Sequence, residues 1–407
     1  MNIEKQVKKL YFLDFLGGFN LTDSIWMLLL VSRGFTLWQA GIAEGVFHAV
    51  SFLCEIPSGM VADLYGRKRT LIASWAVLTL SSVVMLFSTN FVWICMAFAL
   101  NAFGYNLQSG TREALTYDSL LQTDRENDYL KVSSWQTIIY RTANAICRLV
   151  AGFAVSIGYQ VCYGLRIVTT MAAGGVSTTL TEAVSTDISV TQAAPFQNRF
   201  KDLPRNLLKQ TKETVSFLCA TPIAVIYMLA SAGLSGFIIM TSFLLQEHLT
   251  SGSSSSVFAL GPLLFFVSLG GILGPKTAIL LKKLHHRNAV LLTGITSGLF
   301  IALCGTASPL LSALGGFFII LCEEALCTLT DVRLNDMFPS AQRATLSSVF
   351  SMCFSLSMLI VSPIMGFLSD FFGTSATFYI CGTAVMVFTV SSRFIWALLQ
   401  YKKSPAC

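Results

Sequence analysis

The segment Glu55–Arg69 reads EIPSGMVADLYGRKR: a glutamate and a proline inside an apolar run that closes on an aspartate, a glycine and three consecutive cations. The apolar stretch from Trp38 to Leu64 is long enough to cross a bilayer. Arg67, Lys68 and Arg69 mark where it leaves the membrane, on the cytoplasmic side. Counting back about 11 residues at about 1.5 Å each puts Glu55 roughly 15 Å deep, near the midplane. An ionisable side chain there costs about 2.5–3.5 kcal/mol on insertion scales, which makes it a functional candidate. A carboxyl so placed is suited to load a proton from one side and release it to the other. Pro57, two residues on, removes a backbone donor and is expected to kink or loosen the helix.

The rest of the chain has the same character. Its 407 residues are 54% hydrophobic and 12% charged, with a mean hydropathy of +0.67. A soluble globular chain carries about 25% charged residues, so the composition points to an all-α polytopic membrane protein rather than a soluble enzyme. The net charge of +6 does not suggest nucleic-acid binding, because the cations follow topology. Eleven cysteines lie scattered through apolar runs without a C-x2-C pair; they read as buried thiols, with no metal site expected. Lys5, Lys8 and Lys9 precede a long apolar segment containing Asp14 and Asp23 and lacking an A-x-A site, so no cleavable signal peptide is expected.

Twelve spans can be placed, at roughly 10–32, 38–64, 70–88, 91–120, 132–156, 159–181, 215–245, 257–281, 288–305, 308–331, 345–371 and 375–400. An even number puts both termini on one side. That side then holds 20 of the 27 cations and the other holds Arg33 alone, which predicts cytoplasmic termini. The longest connection, 183–213, has two prolines and five cations and is too short for a domain. It divides the chain into bundles at 1–182 and 214–407. A serine-glycine run at Gln246–Ser256 reads as a flexible outer linker. Gly152-Phe153 and Gly366-Phe367 are 214 residues apart, as are Ser133-Ser134 and Ser347-Ser348, at equivalent points of each half. The loop after span 8 carries no aspartate, so the halves are not equivalent. The string Gly270–Thr277 (GGILGPKT) has proline before its lysine and ends an apolar span; it is not a phosphate loop. No nucleotide-binding domain is expected, and no ATPase subunit is required by this reading.

Other polar residues fall inside spans. Span 1 carries Asp14, Asn20 and Asp23, the last two on one face. Asn101, Tyr105, Gln108 and Arg112 follow i, i+4, i+7, i+11 through span 4, which predicts one continuous polar face directed at protein or water. Span 5 sets Arg141, Asn144 and Arg148 on one face, and Arg166 lies in span 6. Arginines do not deprotonate, so these must meet a carboxylate, water or an anionic substrate. Span 10 offers Glu323, Glu324, Thr328 and Asp331, with one of the two glutamates expected to face a cavity.

The motif Gly59-x-x-x-Asp63-x-x-Gly66-Arg67-Lys68-Arg69 resembles the loop 2–3 signature of the major facilitator superfamily without a mismatch. The narrower string Glu55-x-Pro57-x5-Asp63-x3-Arg67-Lys68 resembles that of the clostridial-type (class P) tetracycline exporters. The resemblance implies two pseudo-symmetric six-helix bundles and a central cavity lined by spans 1, 4, 7 and 10. It implies that Asp63, Arg67 and Asp118 form a cytoplasmic latch, and that Glu55 is needed for transport. The exporters carry a second glutamate one heptad before it, where this chain has His48, with Glu44 a turn beyond. A histidine in a span can titrate at physiological pH, so His48 is a candidate for that role. Span 5 lacks the Gly-Pro signature of many drug/proton antiporters, which favours class P over their main branch. The expectation is a monomeric antiporter in the bacterial inner membrane, exporting tetracycline or a related amphipathic drug against protons. Tetracycline would travel as a magnesium chelate met by Asp23, Glu55 and Glu324. The rival reading is an importer or exchanger of a small organic anion, motivated by Arg112, Arg141 and Arg148.

Overall fold

The computed structural model describes residues 2–182, 212, 222–251, 259–281, 286–337 and 343–403. Nearly all of the predicted connection 183–213 lies outside the described residues, as does most of the serine-glycine run beyond Ser251. Among the described residues there are fifteen α-helices and no strand. They are α1 (Ile3–Gly18), α2 (Leu21–Val31), α3 (Leu37–Tyr65), α4 (Arg67–Phe87), α5 (Phe91–Gln108), α6 (Thr111–Leu121), α7 (Tyr129–Leu149), α8 (Ala151–Ile157), α9 (Tyr159–Thr178), α10 (Pro222–Ser251), α11 (Leu260–Leu281), α12 (His286–Cys304), α13 (Pro309–Met337), α14 (Arg343–Phe372) and α15 (Thr374–Lys403).

These helices map onto the twelve spans once broken spans are joined. Helices α3, α4, α10, α11, α13, α14 and α15 are each long and apolar enough to cross a membrane alone. Helices α7 and α8, bent by 58°, make another span together. Spans 1 and 4 are also built in two pieces, α1 with α2 and α5 with α6. Span 7 ends later than its hydropathy suggested, as α10 continues to Ser251.

Local chemistry sets the helix ends. Thr36 and Gln39 form a reciprocal capping box before α3: the Gln39 N–H donates to Thr36 Oγ1 (3.1 Å) and the Thr36 N–H to Gln39 Oε1 (3.0 Å). One residue, Gly66, turns α3 into α4 at φ +91°, a conformation that costs glycine nothing. The next two N–H groups, of Arg67 and Lys68, donate to the Glu182 carboxylate at 2.7 and 3.0 Å. The signature glycine thus has a backbone reason to be glycine. Pro57 does not break α3, whose 29 residues continue past it to Tyr65.

The chain divides into two compact units: Met1–Ser24, Val46–Cys147 and Ile157–Ser216 in one, and Ile25–Gly45, Arg148–Ser156 and Phe217–Cys407 in the other. The first has a core of Leu10, Leu13, Leu16, Leu71, Trp75, Leu78, Leu115, Ala173 and Leu180, where spans 1, 3, 4 and 6 meet. In the second, α11 lies along α13 and α12 along α15. Small residues permit these approaches, as expected where lipid removes the hydrophobic drive between helices: a Cβ on Gly270 would run into the Phe317 carbonyl, and one on Gly274 into Glu324 Cβ. The second unit also joins the start of α3 to the end of α14. Asp370 accepts the N–H groups of Leu37 and Trp38 at 3.0 and 2.8 Å. Gly41 and Gly366 let the two backbones touch.

Candidate transport site

Span 1 breaks where its polar residues sit. After Gly18 the chain makes an inverse γ-turn at Phe19 (φ −78°, ψ 73°), and the Asn20 N–H donates to the Gly18 carbonyl at 2.9 Å. Asn20 is buried, and its amide oxygen accepts the Thr22 hydroxyl at 2.7 Å and the Asp23 N–H at 3.4 Å. Ile25 departs from helical geometry as well (φ −144°, ψ 16°). The turn holds Asp23 toward span 4, where its Oδ2 accepts the Tyr105 hydroxyl at 3.3 Å. Tyr140 of α7 shares a hydrogen bond with Tyr105, and the Arg166 guanidinium of α9 interacts electrostatically with both phenols. Arg166 is buried, and its Nη1 has no hydrogen-bond partner among the described residues. Side chains of spans 1, 4, 5 and 6 therefore converge on one point of the first unit. Gly18 makes that convergence possible: a Cβ there would collide with the Tyr140 backbone carbonyl.

Span 4 does not present the continuous polar face that its spacing predicted. Gly110 (φ +71°) separates α5 from α6, which takes Arg112 out of register with Asn101, Tyr105 and Gln108. Arg112 instead pairs with Asp14 at 2.8 Å and Glu113 at 3.0 Å. Asp14 is fully buried. Asn101 and Gln108 are half-buried on α5. Arg141 is exposed on α7, and Arg148 belongs to the other unit. The arginine stripe expected across spans 4 and 5 thus loses its first member to an ion pair.

On α3, Glu44, His48, Ser51 and Glu55 follow i, i+4, i+7, i+11, one face of the helix. That face meets α5 through Ser51: its hydroxyl donates to Asn106 Oδ1 at 2.9 Å, and Asn106 Nδ2 donates back to the Ser51 carbonyl at 2.7 Å. His48 and Glu44 are buried and Glu55 is half-buried. Phe47 packs edge-on against Tyr105 with ring centroids 6.1 Å apart, which carries the α3 face toward the Asp23 cluster.

Of the two span 10 glutamates, Glu323 is the buried one. It accepts the Ser235 hydroxyl of α10 at 3.1 Å and the Cys327 thiol at 3.1 Å. Glu324 is half-buried, with its Cβ against Gly274 of α11. At the signature, Arg67 Nε forms an ion pair with Asp118 Oδ2 at 3.0 Å. This pair lies inside the first unit, tying the start of span 3 to the end of span 4. Asp63 and Gly59 are exposed and Lys68 half-buried nearby.

Sequence reasoning missed Tyr140, Asn106, Glu182 and Asp370. Asn106 carried a usable signal, a carboxamide in an apolar span. No group of three or more His, Cys, Asp or Glu residues suited to a metal occurs among the described residues.

Repeated broken spans, buried ionisable clusters and a helical body define a polytopic membrane transporter. The chain matches the Major Facilitator Superfamily over residues 10–322 and again over 223–406, and it belongs to that family. It is 22% identical over 379 residues to the uncharacterized MFS-type transporter YxaM of Bacillus subtilis, covering 89% of this chain and 88% of that one. Among solved structures it is similar to the nucleoside transporter NupG (TM-score 0.73, 16% identity, 96% of this chain and 98% of that one). The peptide transporter POT in complex with sulfate is also similar (TM-score 0.73, 16% identity, 96% and 94%). So is a D-xylose–proton symporter (TM-score 0.71, 12% identity, 95% and 97%). At these identities the likeness establishes the fold: twelve transmembrane helices in two pseudo-symmetric bundles.

Proposed function

We propose that this transporter is a proton-coupled antiporter that exports tetracycline or a related amphipathic drug by alternating access. The observation that carries the reading is the α3 face bearing Glu44, His48 and Glu55, joined to span 4 at Ser51–Asn106 and beside the Asp23–Tyr105 cluster. Protons enter on Glu55, with His48 and Asp23 as partners, while drug leaves along Asn20, Asn101, Tyr105 and Gln108. The phenols and carboxylates suit a flat, cationic or metal-chelated substrate. The bundles, 1–182 and 214–407, rock about this path. The protein works as a monomer in the bacterial inner membrane with both termini cytoplasmic, as the cation distribution supports.

Anion transport remains a second reading. What favours it is Arg166, buried beside Tyr105 and Tyr140, with Nη1 unbonded among the described residues. Expression in a drug-sensitive bacterium separates the two. Wild type should raise tetracycline tolerance, and Glu55→Gln should abolish the gain while Arg141→Gln and Arg166→Gln preserve part of it. Equal tolerance from wild type and Glu55→Gln removes Glu55 from the coupling. No tolerance to any drug, with uptake of an organic anion that Arg166→Gln destroys, selects the second reading.

A further inference from the structure

A groove of about 490 Å³ runs between α1 and α9 on the outside of the first unit, lined by Lys8, Lys9, Phe12, Ala172, Gly175, Val176 and Thr179. Its polar end holds two lysines and no carboxylate. Lys9 Nζ donates to the Thr179 carbonyl at 2.5 Å, which fixes that ammonium at the end of α9; Lys8 is exposed. The opposite end is apolar and continues down α1. Lys8, Phe12, Phe15 and Phe19 follow i, i+4, i+7, i+11, and the three rings stack in sequence with centroids 6.5 and 5.9 Å apart. Phe12 and Phe15 are 50% and 39% exposed, so the ladder faces outward. Small residues on α9 keep the groove open: nothing lies within 4 Å of a Cβ built on Gly175.

We infer that this groove is a binding site for one anionic phospholipid, its phosphate on Lys8 and Lys9 and an acyl chain along the Phe12–Phe15–Phe19 ladder. The shape is that of an amphiphile, a cationic head site at the membrane boundary above an apolar track. Basic pockets between spans are suited to anionic headgroups, and each lysine near the surface contributes about fivefold in affinity, equivalent to ~1 kcal/mol. A second groove, of about 240 Å³, flanks α1 on its other side and also includes Lys8, with Arg125 and Lys131. There Glu4 and Asp128 line the wall, and Asp128 already pairs with Arg125 at 2.7 Å. Those carboxylates offset most of the positive charge there, whereas no carboxylate lines the first groove. The inference concerns the lipid-facing surface and stands apart from the drug reading.

Native mass spectrometry of the purified protein, titrated with phosphatidylglycerol or phosphatidylcholine, tests it. Wild type should retain one phosphatidylglycerol in preference to phosphatidylcholine. The double variant Lys8→Gln/Lys9→Gln should cut that preference by about 25-fold. Gly175→Phe, which fills the groove and leaves both lysines in place, should remove the retained lipid. Lys131→Gln, outside the groove, should change neither. Equal retention of the two lipids by wild type overturns the site. So does an unchanged preference in Gly175→Phe, or a loss in Lys131→Gln as large as in the double variant, since a diffuse positive field would then explain the binding.

Discussion

Spans 1 and 10 both carry acidic side chains into the membrane, and they satisfy them in opposite ways. In span 1, Asp14 is held by the Arg112 guanidinium at 2.8 Å, and Asp23 by a phenol network beside Arg166. In span 10, the carboxylate oxygens of Glu323 accept bonds from the Ser235 hydroxyl and the Cys327 thiol, both neutral. An ion pair stabilises a buried carboxylate by fixing the charge of both partners. Neutral donors satisfy the oxygens without fixing the charge. The first arrangement therefore reads as architecture at Asp14, and the second leaves a carboxyl whose proton can change at little structural cost.

The largest effect expected from this contrast is at Asp14. Asp14→Ala leaves Arg112 beside Glu113 alone and opens a cavity, costing about 3–5 kcal/mol of stability. The thermal midpoint in detergent should fall by many degrees, and Asp14→Ala/Arg112→Met should recover part of it. A midpoint unchanged in the single variant would show that the pair contributes nothing to the fold.

A middle-sized effect is expected at Gly18. Gly18→Ala places a methyl against the Tyr140 carbonyl, a backbone atom that cannot swing aside, at a cost of about 1–3 kcal/mol. Because the strain falls where α1 meets α7, transport should suffer more than stability. Gly175→Ala, in open space, is the control and should be neutral in both. If Gly18→Ala transports normally, the Asp23–Tyr105–Tyr140 arrangement does not depend on that close approach.

Much of this is legible in the sequence. Apolar run lengths gave the spans of α3, α4, α10, α11, α13, α14 and α15 outright, because hydrocarbon thickness imposes length directly. The Thr36–Gln39 box and the Gly66 turn follow from local chemistry. The site was legible only in part. Spacing put Arg112 on the Tyr105 face, and Gly110 removed it; a single glycine inside a predicted span signals neither a break nor continuity. Tyr140 went unnoticed because a single phenol in a mixed helix carries no periodic signal. Glu182 and Asp370 cap helices far off in sequence, by 115 and 333 residues. No local rule finds such partners. Of the paired glutamates, spacing could not say which was buried, since adjacent positions sit about 100° apart on a helix.

The smallest structural effects are expected in span 10, and they test the comparison most sharply. Ser235→Ala removes one donor and leaves Glu323 Oε2 unsatisfied, at about 1 kcal/mol. Glu323→Gln costs less, under about 1 kcal/mol, because the amide oxygen can still accept from Ser235 and no ion pair is broken. If the carboxyl at this position exchanges protons during turnover, Glu323→Gln should nevertheless lose the response of transport to an imposed pH gradient in vesicles. Asp14→Asn should behave in reverse, with lower stability but a gradient response that survives in whatever protein remains folded. Should Glu323→Gln keep the full response and Asp14→Asn lose it, the roles are inverted. The charged pair in span 1 would then be the moving part, and the neutral nest around Glu323 the scaffold.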